Sequence, residues 1–406
     1  MENTIAPISS RLRRALRGQG ITLRLLYYLF YSSGVSLSSF FSVYLLQIGL
    51  SGLQIGALSG IGPAVTLVSQ PLWGVVADLR GRRRTLLLTM LISAALLLGY
   101  AWPAGFWFLF AWAILYNLFS SPVSPLIDSL VLDHLDDEPG TSFGQVRLWG
   151  AVGWAVSALL VGKAIARRDI RLIFPFSAAF MLLGAAVVWR GTRDSGKRTA
   201  LGRAWHGAGA LLRIRPLVMF LVLIVLLQLG AAGIWSFFAI YMTQIGAPSP
   251  VIGLAITVRG LSELPLYLAS AWLIRRFGSR RTLPFTFFVF ATRTFLYSVI
   301  RNPALAVVVE ASHGLSFSLL LVSAVDYVHQ HVPREWRATG QSLYTAAFFG
   351  AGSIIGNAWA GFLYDRIGVQ AMYRLNSGIL LVVALAALVA LGRGAVKPQM
   401  NADERG

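Results

Sequence analysis

Charged side chains within otherwise apolar stretches are the first candidates for chemistry in this sequence. Asp128 ends one such stretch, which Pro122 and Pro125 loosen, and Arg147 begins the next. If these stretches are neighbouring antiparallel helices, the two charges can meet. Trp154 follows Arg147 by about two helical turns, or ~10 Å along the same face. A guanidinium below an aromatic ring suits a substrate ring that carries hydroxyls or a carboxylate; a structural ion pair with a packing tryptophan is the alternative.

Two further groups of ionisable residues lie in the second part of the chain. Arg259 and Glu263 are four residues apart and therefore share one face of a helix. Glu310 and His313 are three apart and also share a face, and Arg293 lies one apolar stretch earlier. A carboxylate, an imidazole and a guanidinium can form a proton site that responds to which side of a membrane is open. A purely structural charge network is the alternative.

The sequence contains no pattern for enzyme chemistry, a metal centre or a cofactor. It has no cysteine, which excludes disulfides and Cys-type zinc sites. Asp326, His329 and His331 end an apolar stretch, where we expect them at a membrane interface and not around a metal. Residues 191–197 approach a phosphate-binding loop, but Arg198 stands where Ser or Thr is required. We therefore predict no enzyme activity, no metal and no cofactor.

The composition indicates an all-α membrane protein. Of the 406 residues 56% are hydrophobic and 13% are charged, whereas a soluble domain is about 25% charged. Apolar stretches of about 20 residues, the length that crosses ~30 Å of hydrocarbon, recur along the chain. The twelve predicted spans are 22–48, 52–77, 84–102, 104–132, 143–165, 170–190, 216–244, 250–274, 282–301, 303–331, 337–364 and 370–392.

The basic residues are distributed unevenly between the two sides of the membrane. With both termini on one side, 24 Lys and Arg fall on that side and 7 on the other. Because Lys and Arg are retained in the cytoplasm, this asymmetry predicts that both termini lie inside the cell, in its inner (plasma) membrane. The net charge of +19 is then explained by topology, and we predict no nucleic-acid partner.

The chain contains an internal repeat. Residues 39–49 recur as residues 236–246 with seven of eleven positions identical, and residues 81–86 recur as 278–283 at the same offset of 197. Two parallel halves with nested three-helix units are the design of major facilitator transporters. The predicted parts are an N-terminal cytoplasmic segment (1–21), two six-helix halves (22–190 and 216–392), a cytoplasmic linker (191–215) and a cytoplasmic tail (393–406).

The loop after the second predicted span resembles the conserved loop motif of the major facilitator superfamily. In that motif an acid at the helix end pairs with nearby arginines and latches one state of the cytoplasmic gate. Leu79 interrupts the usual Asp-Arg order, and Arg275 replaces the acid in the second half. The resemblance implies gate roles for Gly74, Asp78, Gly81, Arg82 and Arg83; a plain basic loop is the alternative.

Within that superfamily the chain resembles the group that contains the lactose permease and the phenylpropionate permeases. The likeness covers most of the chain and is most specific over residues 143–154, with further matching segments at 71–74, 262–265, 313–317 and 360–365. The resemblance implies substrate contacts for Asp128, Arg147, Trp154, Glu263 and His313.

The proton site departs from the lactose permease pattern. Ser316 stands where that permease has its proton-binding acid, Glu310 replaces a lysine, and Gly350 replaces another. The resemblance therefore does not identify the acid, for which Glu263 and Glu310 are the candidates. We expect proton-coupling roles for Glu263, Arg293, Glu310 and His313.

The sequence thus favours a proton-coupled symporter of a small organic solute, such as an aromatic acid, a sugar or a nucleoside. Rocking of the two halves would give alternating access, and the protein is expected to be a monomer in the bilayer. A proton-coupled exporter of lipophilic compounds is the main alternative, favoured by the aromatic content of 12% but not by a fifth span without proline. A receptor that binds ligand and signals without transport is a third possibility.

Overall fold

The computed structural model describes residues 19–102, 105–135, 142–193 and 208–392, and no strand occurs in these ranges. The predicted N-terminal segment up to residue 18, linker residues 194–207 and the tail 393–406 lie outside them. The α-helices are α1 (Gln19–Ser38), α2 (Phe41–Gln47), α3 (Gly52–Arg80), α4 (Arg82–Gly99), α5 (Phe106–Ser120), α6 (Val123–Leu135), α7 (Phe143–Arg167), α8 (Ile173–Gly191), α9 (Ala208–Leu211), α10 (Arg215–Gln244), α11 (Ser249–Phe277), α12 (Ser279–Val299), α13 (Pro303–Glu310), α14 (His313–His331), α15 (Arg337–Thr345) and α16 (Ser353–Gly392).

Helices lie at all twelve predicted span positions. In the described ranges nine helices are long and apolar enough to cross a membrane, and one of these, Arg334–Leu391, contains two predicted spans. The helices Arg82–Gly99 and Ser279–Val299 occupy the positions of the third and ninth spans. We number the spans 1 to 12 in chain order. Spans 1 to 6 are α1–α2, α3, α4, α5–α6, α7 and α8. Spans 7 to 12 are α10, α11, α12, α13–α14, the segment from α15 to Gly368, and the rest of α16.

Several spans are interrupted. Span 4 breaks at Ser121 and Pro122, whereas span 10 breaks at Ala311 and Ser312 without a proline. Span 11 contains a π-helical turn, Ala346–Gly352, that faces the central cavity. Such wide turns are rare and often mark functional sites.

The repeated turns share one backbone geometry. Gly81 ends span 2 with φ 92°, and its counterpart Gly278 ends span 8 with φ 74°. Residues with a side chain rarely adopt these positive φ values, which explains why glycine occupies both positions. The duplication that the sequence shows is therefore also present in the local structure.

The two halves meet at the ends of the spans opposite the basic loops. Span 2 packs on span 11, and span 5 packs on span 8. A Cβ on Gly56 would collide with the carbonyl of Asn357, and one on Gly253 with that of Ala158. The halves are thus in backbone contact at this end, which we call the closed end.

A hydrogen-bonded contact joins the halves at the closed end. The carboxylate of Asp365, near the end of span 11, accepts hydrogen bonds from the backbone N–H of Gly52 (2.6 Å) and of Leu53 (2.8 Å) in the other half. These donors lie at the first turn of span 2, where N–H groups lack helical partners and the helix dipole favours a negative charge. Asp365 therefore stabilises closure at this end.

Candidate functional site

A cavity of about 1610 Å³ lies between the two halves. It extends from Phe41 and Tyr100 to the exposed Gln70 and to Gln341, so it opens at the end where the basic loops lie. Hydroxyl, amide and aromatic side chains line much of it, and none of the lining residues in the described ranges is charged. Such a surface suits a neutral solute with hydroxyl groups.

The first charged group belongs to the N-terminal half. Asp128 on span 4 accepts a hydrogen bond from the Tyr27 hydroxyl (2.5 Å) and forms an ion pair with Arg147 on span 5 (3.3 Å). The hairpin brings the two charges together as the sequence predicts. The Arg147 side chain is 47% exposed and its guanidinium lies 5.8 Å from the Phe143 ring centre. One ion pair leaves several of its N–H donors available to a substrate.

Trp154 lies between the two halves. Its ring packs edge-on against Tyr31, with 6.5 Å between the centroids. On the other side it faces Gly260 of span 8, where an added Cβ would lie 3.2 Å from Cδ1 of Trp154. The indole therefore borders the charged residues of the C-terminal half.

The second charged group is buried in the C-terminal half and centres on Glu310. Arg259 donates to its two oxygens from Nε and Nη2, both at 2.8 Å, and Arg293 donates from Nη2 at 3.2 Å. The Tyr297 hydroxyl adds a hydrogen bond of 2.7 Å. Glu310 is 0% exposed, so every interaction of this carboxylate is with protein.

Glu310 is the ion-pair partner of Arg259 in this arrangement. The two residues do lie on one helix, but the guanidinium turns to Glu310 of span 10, which offers a bidentate partner. The Phe238 ring packs against this guanidinium, with 4.6 Å between the guanidinium carbon and the ring centre. A pair within one exposed helix face gains less than such a buried bidentate pair.

Glu263 instead interacts with His313. The His313 Nε2 atom lies 3.3 Å from the Glu263 carboxylate, and Nδ1 lies 3.1 Å from Nη1 of Arg293. A guanidinium has no acceptor, so Nδ1 of His313 must accept the hydrogen bond. The proton of the neutral imidazole therefore lies on Nε2, which faces the Glu263 carboxylate. Arg293 also donates to Ser316 (2.6 Å), the residue at the position of the missing acid.

The two glutamates differ in their access to solvent. Glu263 is 24% exposed, whereas Glu310 has no exposed surface and four hydrogen bonds to two guanidinium groups and one phenol. The break at residues 311 and 312 lies between Glu310 and His313, and Arg293 contacts both of these side chains. Glu263 is therefore the more exposed of the two carboxylates.

The residues of the predicted gate motif lie in the inner parts of spans 2 and 3. Arg82 forms an ion pair with Asp133 at the end of span 4 (2.5 Å). Arg83 donates to the carbonyl of Trp189 at the end of span 6. Both arginines thus connect the inner end of span 3 to the ends of spans 4 and 6 within the N-terminal half. Gly81 forms the turn before them. Gly74 lies within span 2, one helical turn before Asp78.

Asp326 and His331, which were expected at the membrane interface, have hydrogen-bond partners in span 10. Asp326 accepts a hydrogen bond from Gln330, and His331 hydrogen-bonds the Tyr327 carbonyl. No group of three or more potential ligands occurs in the part of the chain that the structure describes.

Several residues at these sites were not found from the sequence. Tyr27 and Tyr31 lie in an apolar span whose composition gives no sign of a polar role. Tyr297 follows Arg293 by four residues, a helical spacing that is a usable signal. Trp235 lines the cavity from span 7 and Asp365 lies across the closed end, and neither position is distinguishable without the packing of the halves.

The comparisons with known proteins identify the family. The MFS_1 like family model matches residues 21–375. The chain is 31% identical to a maltose permease of Geobacillus stearothermophilus over 370 residues, which are 89% of this chain and 93% of that permease. It is 29% identical to a probable 3-phenylpropionic acid transporter of Escherichia coli (strain K12) over 371 residues, with the same shares covered.

The fold is shared with a solved transporter structure. The crystal structure of the nucleoside transporter NupG matches with a TM-score of 0.83 at 17% identity, over 92% of this chain and 99% of that one. At this identity the likeness shows the fold alone. The resemblance that the sequence predicted is therefore confirmed, and the chain belongs to the MFS_1 like family of the major facilitator superfamily of membrane transporters.

Proposed function

We propose that this protein is a proton-coupled symporter of a neutral, hydroxyl-bearing solute, and that Glu263 carries the proton. The observation that supports this most directly is the contrast between the two carboxylates. Glu263 is partly exposed and lies beside the neutral His313, whereas Glu310 is buried and all of its interactions are with protein groups. The halves 22–190 and 216–392, joined by the linker 191–215, would rock about the cavity between them.

Protonation of Glu263 changes the charge balance of the C-terminal half. Arg259 and Arg293 carry two positive charges, and Glu310 and an ionised Glu263 balance them. Protonation removes the negative charge that faces His313 and leaves one uncompensated guanidinium in a medium where charge is costly. The empty and proton-loaded carriers therefore differ in electrostatic energy, which is the requirement for coupling.

A sugar is the substrate class that the cavity supports best. Its walls carry hydroxyl and amide groups together with aromatic rings such as that of Trp235. Trp154 and the half-exposed Arg147 are the aromatic and guanidinium groups for which the family resemblance implies substrate contacts. The similarity to a maltose permease agrees with this class. An aromatic carboxylate is the second candidate, favoured by the half-exposed Arg147 and by the similarity to a probable 3-phenylpropionic acid transporter.

Uptake into proteoliposomes tests both the coupling and the substrate class. Maltose, 3-phenylpropionate and uridine are offered with and without an imposed inward proton gradient. We expect gradient-dependent accumulation of maltose. Accumulation of 3-phenylpropionate alone would support the second candidate, and gradient-driven export of a lipophilic dye without uptake of any of the three solutes would support the exporter.

An Arg147→Gln variant separates the two substrate classes. Loss of the guanidinium removes a charge partner that a carboxylate needs, whereas a sugar retains the stacking surface of Trp154. The variant should abolish 3-phenylpropionate uptake but leave measurable sugar uptake with a raised KM. Equal loss for both substrates would mean that Arg147 acts through the structure of its pair with Asp128.

The location follows from the family and from the charge distribution. The chain is a multi-pass membrane protein, and the basic residues of its loops support a plasma-membrane location with both termini in the cytoplasm. In that orientation the cavity opens inward. We also propose that the monomer is the transport unit, because the cavity is complete within one chain.

A further inference from the structure

The Trp235 side chain lies between the cavity and the buried charged residues. Its indole lines the cavity from span 7 and is half-buried. The opposite edge contacts His313 nearly at a right angle (86°), with 5.1 Å between the ring centroids. Phe317 packs against it at the same centroid distance. One face of the indole is therefore available to a solute while its edge touches the imidazole that holds Glu263.

The same indole also contacts the second branch of the charge network. The guanidinium carbon of Arg259 lies 5.6 Å from the centre of the Trp235 ring, within the range of a cation–π interaction. Arg259 is fixed by its two hydrogen bonds to Glu310. The indole thus contacts both Arg259, which is bound to Glu310, and His313, which lies beside Glu263.

The arrangement separates the charged network from the cavity wall. The lining residues include Trp235 and Ser236 but none of the five ionisable residues of the C-terminal network, which are Arg259, Glu263, Arg293, Glu310 and His313. A solute in this part of the cavity therefore meets the indole before it can influence the network. A packing role alone would not require an aromatic ring with one face at the cavity.

We propose that Trp235 is a positioning residue that transmits occupancy of the cavity to the His313–Glu263 pair. A sugar ring that stacks on the exposed face of the indole displaces the indole against His313 and so alters the contact between Nε2 and the Glu263 carboxylate. Because coupling between two sites is reciprocal, protonation of Glu263 also changes the affinity for the solute. This inference rests on the proposed proton-coupled symport.

Variants of Trp235 separate this role from packing. Trp235→Leu fills the space without an aromatic face, Trp235→Phe keeps the face, and Trp272→Leu is the matched control at a position that is 57% exposed. With maltose as the probe, we expect Trp235→Leu to lose gradient-driven accumulation about tenfold while equilibrium exchange stays within a factor of three. Trp235→Phe should restore most of the accumulation, and Trp272→Leu should behave like the parent.

Two results would overturn the proposal. One is accumulation by Trp235→Leu at the parent level. The other is an equal loss of exchange and accumulation in both Trp235 variants, which would indicate a structural role. Thermal unfolding of each purified variant monitors folding independently.

A measurement without ligand tests the role of Trp235 independently of the proposed symport. The chain has 12 tryptophans, so the ¹⁹F resonance of residue 235 in 5-fluorotryptophan-labelled protein is assigned by its loss in Trp235→Phe. We expect this resonance to shift with pH in the parent and to become independent of pH in Glu263→Gln. A resonance that is insensitive to pH in the parent would overturn the contact-based link, whereas failure of gradient-driven uptake with an intact shift would overturn only the symport.

Discussion

The surroundings of Glu263 and Glu310 differ, and this difference supports the proposal that Glu263 carries the proton. Glu310 accepts hydrogen bonds from Arg259, Arg293 and Tyr297, and no water reaches it. Glu263 lies 3.3 Å from the His313 imidazole, and its side chain is 24% exposed. The sequence offered both as candidates because both are acids within apolar spans. Only the packing of span 8 against span 10 distinguishes them.

Replacement of Glu310 tests its structural role. In Glu310→Gln the guanidinium groups of Arg259 and Arg293 lose their common counter-charge inside the protein. Removal of one partner of a buried ion pair costs about 3–5 kcal/mol. We expect a marked fall in the melting temperature in detergent, whereas the matched change Glu335→Gln at an exposed loop position should leave it unchanged. An unaltered melting temperature in Glu310→Gln would contradict the structural assignment.

The partner of Arg259 shows where residue-level prediction from the sequence stops. The spacing to Glu263 identified a shared helix face but could not show that Glu310 offers a buried bidentate geometry. In contrast, Asp128 and Arg147 flank one short connection, so hairpin packing was enough to predict their meeting. Contacts between spans that are adjacent in sequence were thus predictable, and contacts between distant spans were not.

At the scale of helices, the interruptions position the functional residues. Hydropathy predicted the spans, and prolines indicated the break in span 4. The break in span 10 contains no proline, so the sequence predicted that Glu310 and His313 share one continuous helix face. The π-helical turn of span 11 was also not predicted, because its residues Ala346–Gly352 are ordinary small and aromatic side chains.

The contact of Asp365 with span 2 makes a prediction about closure. Asp365→Asn removes the negative charge at the first turn of span 2 and weakens the contact between the halves by about 1 kcal/mol, or roughly fivefold in the ratio of closed to open states. The chain has no cysteine, so Ala158→Cys introduces a single thiol that is buried at the closed end. We expect an impermeant maleimide added outside to label this thiol several-fold faster in the Asp365→Asn background.

A second aspartate at the same end provides the control. Asp169 accepts a hydrogen bond from the N–H of Arg171 within its own turn and does not reach the other half in the described structure. Asp169→Asn changes the same charge without changing the contact between halves, so labelling at Ala158→Cys should stay at the parent rate. Equal labelling in both aspartate variants would contradict a latch at Asp365.

The whole molecule is captured in one state of a transport cycle. The closed end holds the halves together, and the cavity opens at the end that carries the basic loops. The repeat predicted two related halves, and the similarity to known transporters confirms the fold. No sequence pattern predicted which end is open, because the balance between states depends on contacts between halves such as that of Asp365.

Reporter fusions test the orientation on which this assignment depends. Green fluorescent protein fused after residue 406 should fluoresce, and alkaline phosphatase at the same position should be inactive because its disulfides form only outside the reducing cytoplasm. The opposite pattern would place the termini outside and make the open end of the cavity outward-facing.

The most direct measurement of the role of Glu263 compares accumulation with exchange in Glu263→Gln and in the control Glu335→Gln. In proteoliposomes with an imposed proton gradient, we expect Glu263→Gln to exchange labelled maltose across the membrane but to accumulate none, while Glu335→Gln accumulates it like the parent. Uphill accumulation by Glu263→Gln at the parent level would contradict the assignment of the coupled proton to this residue.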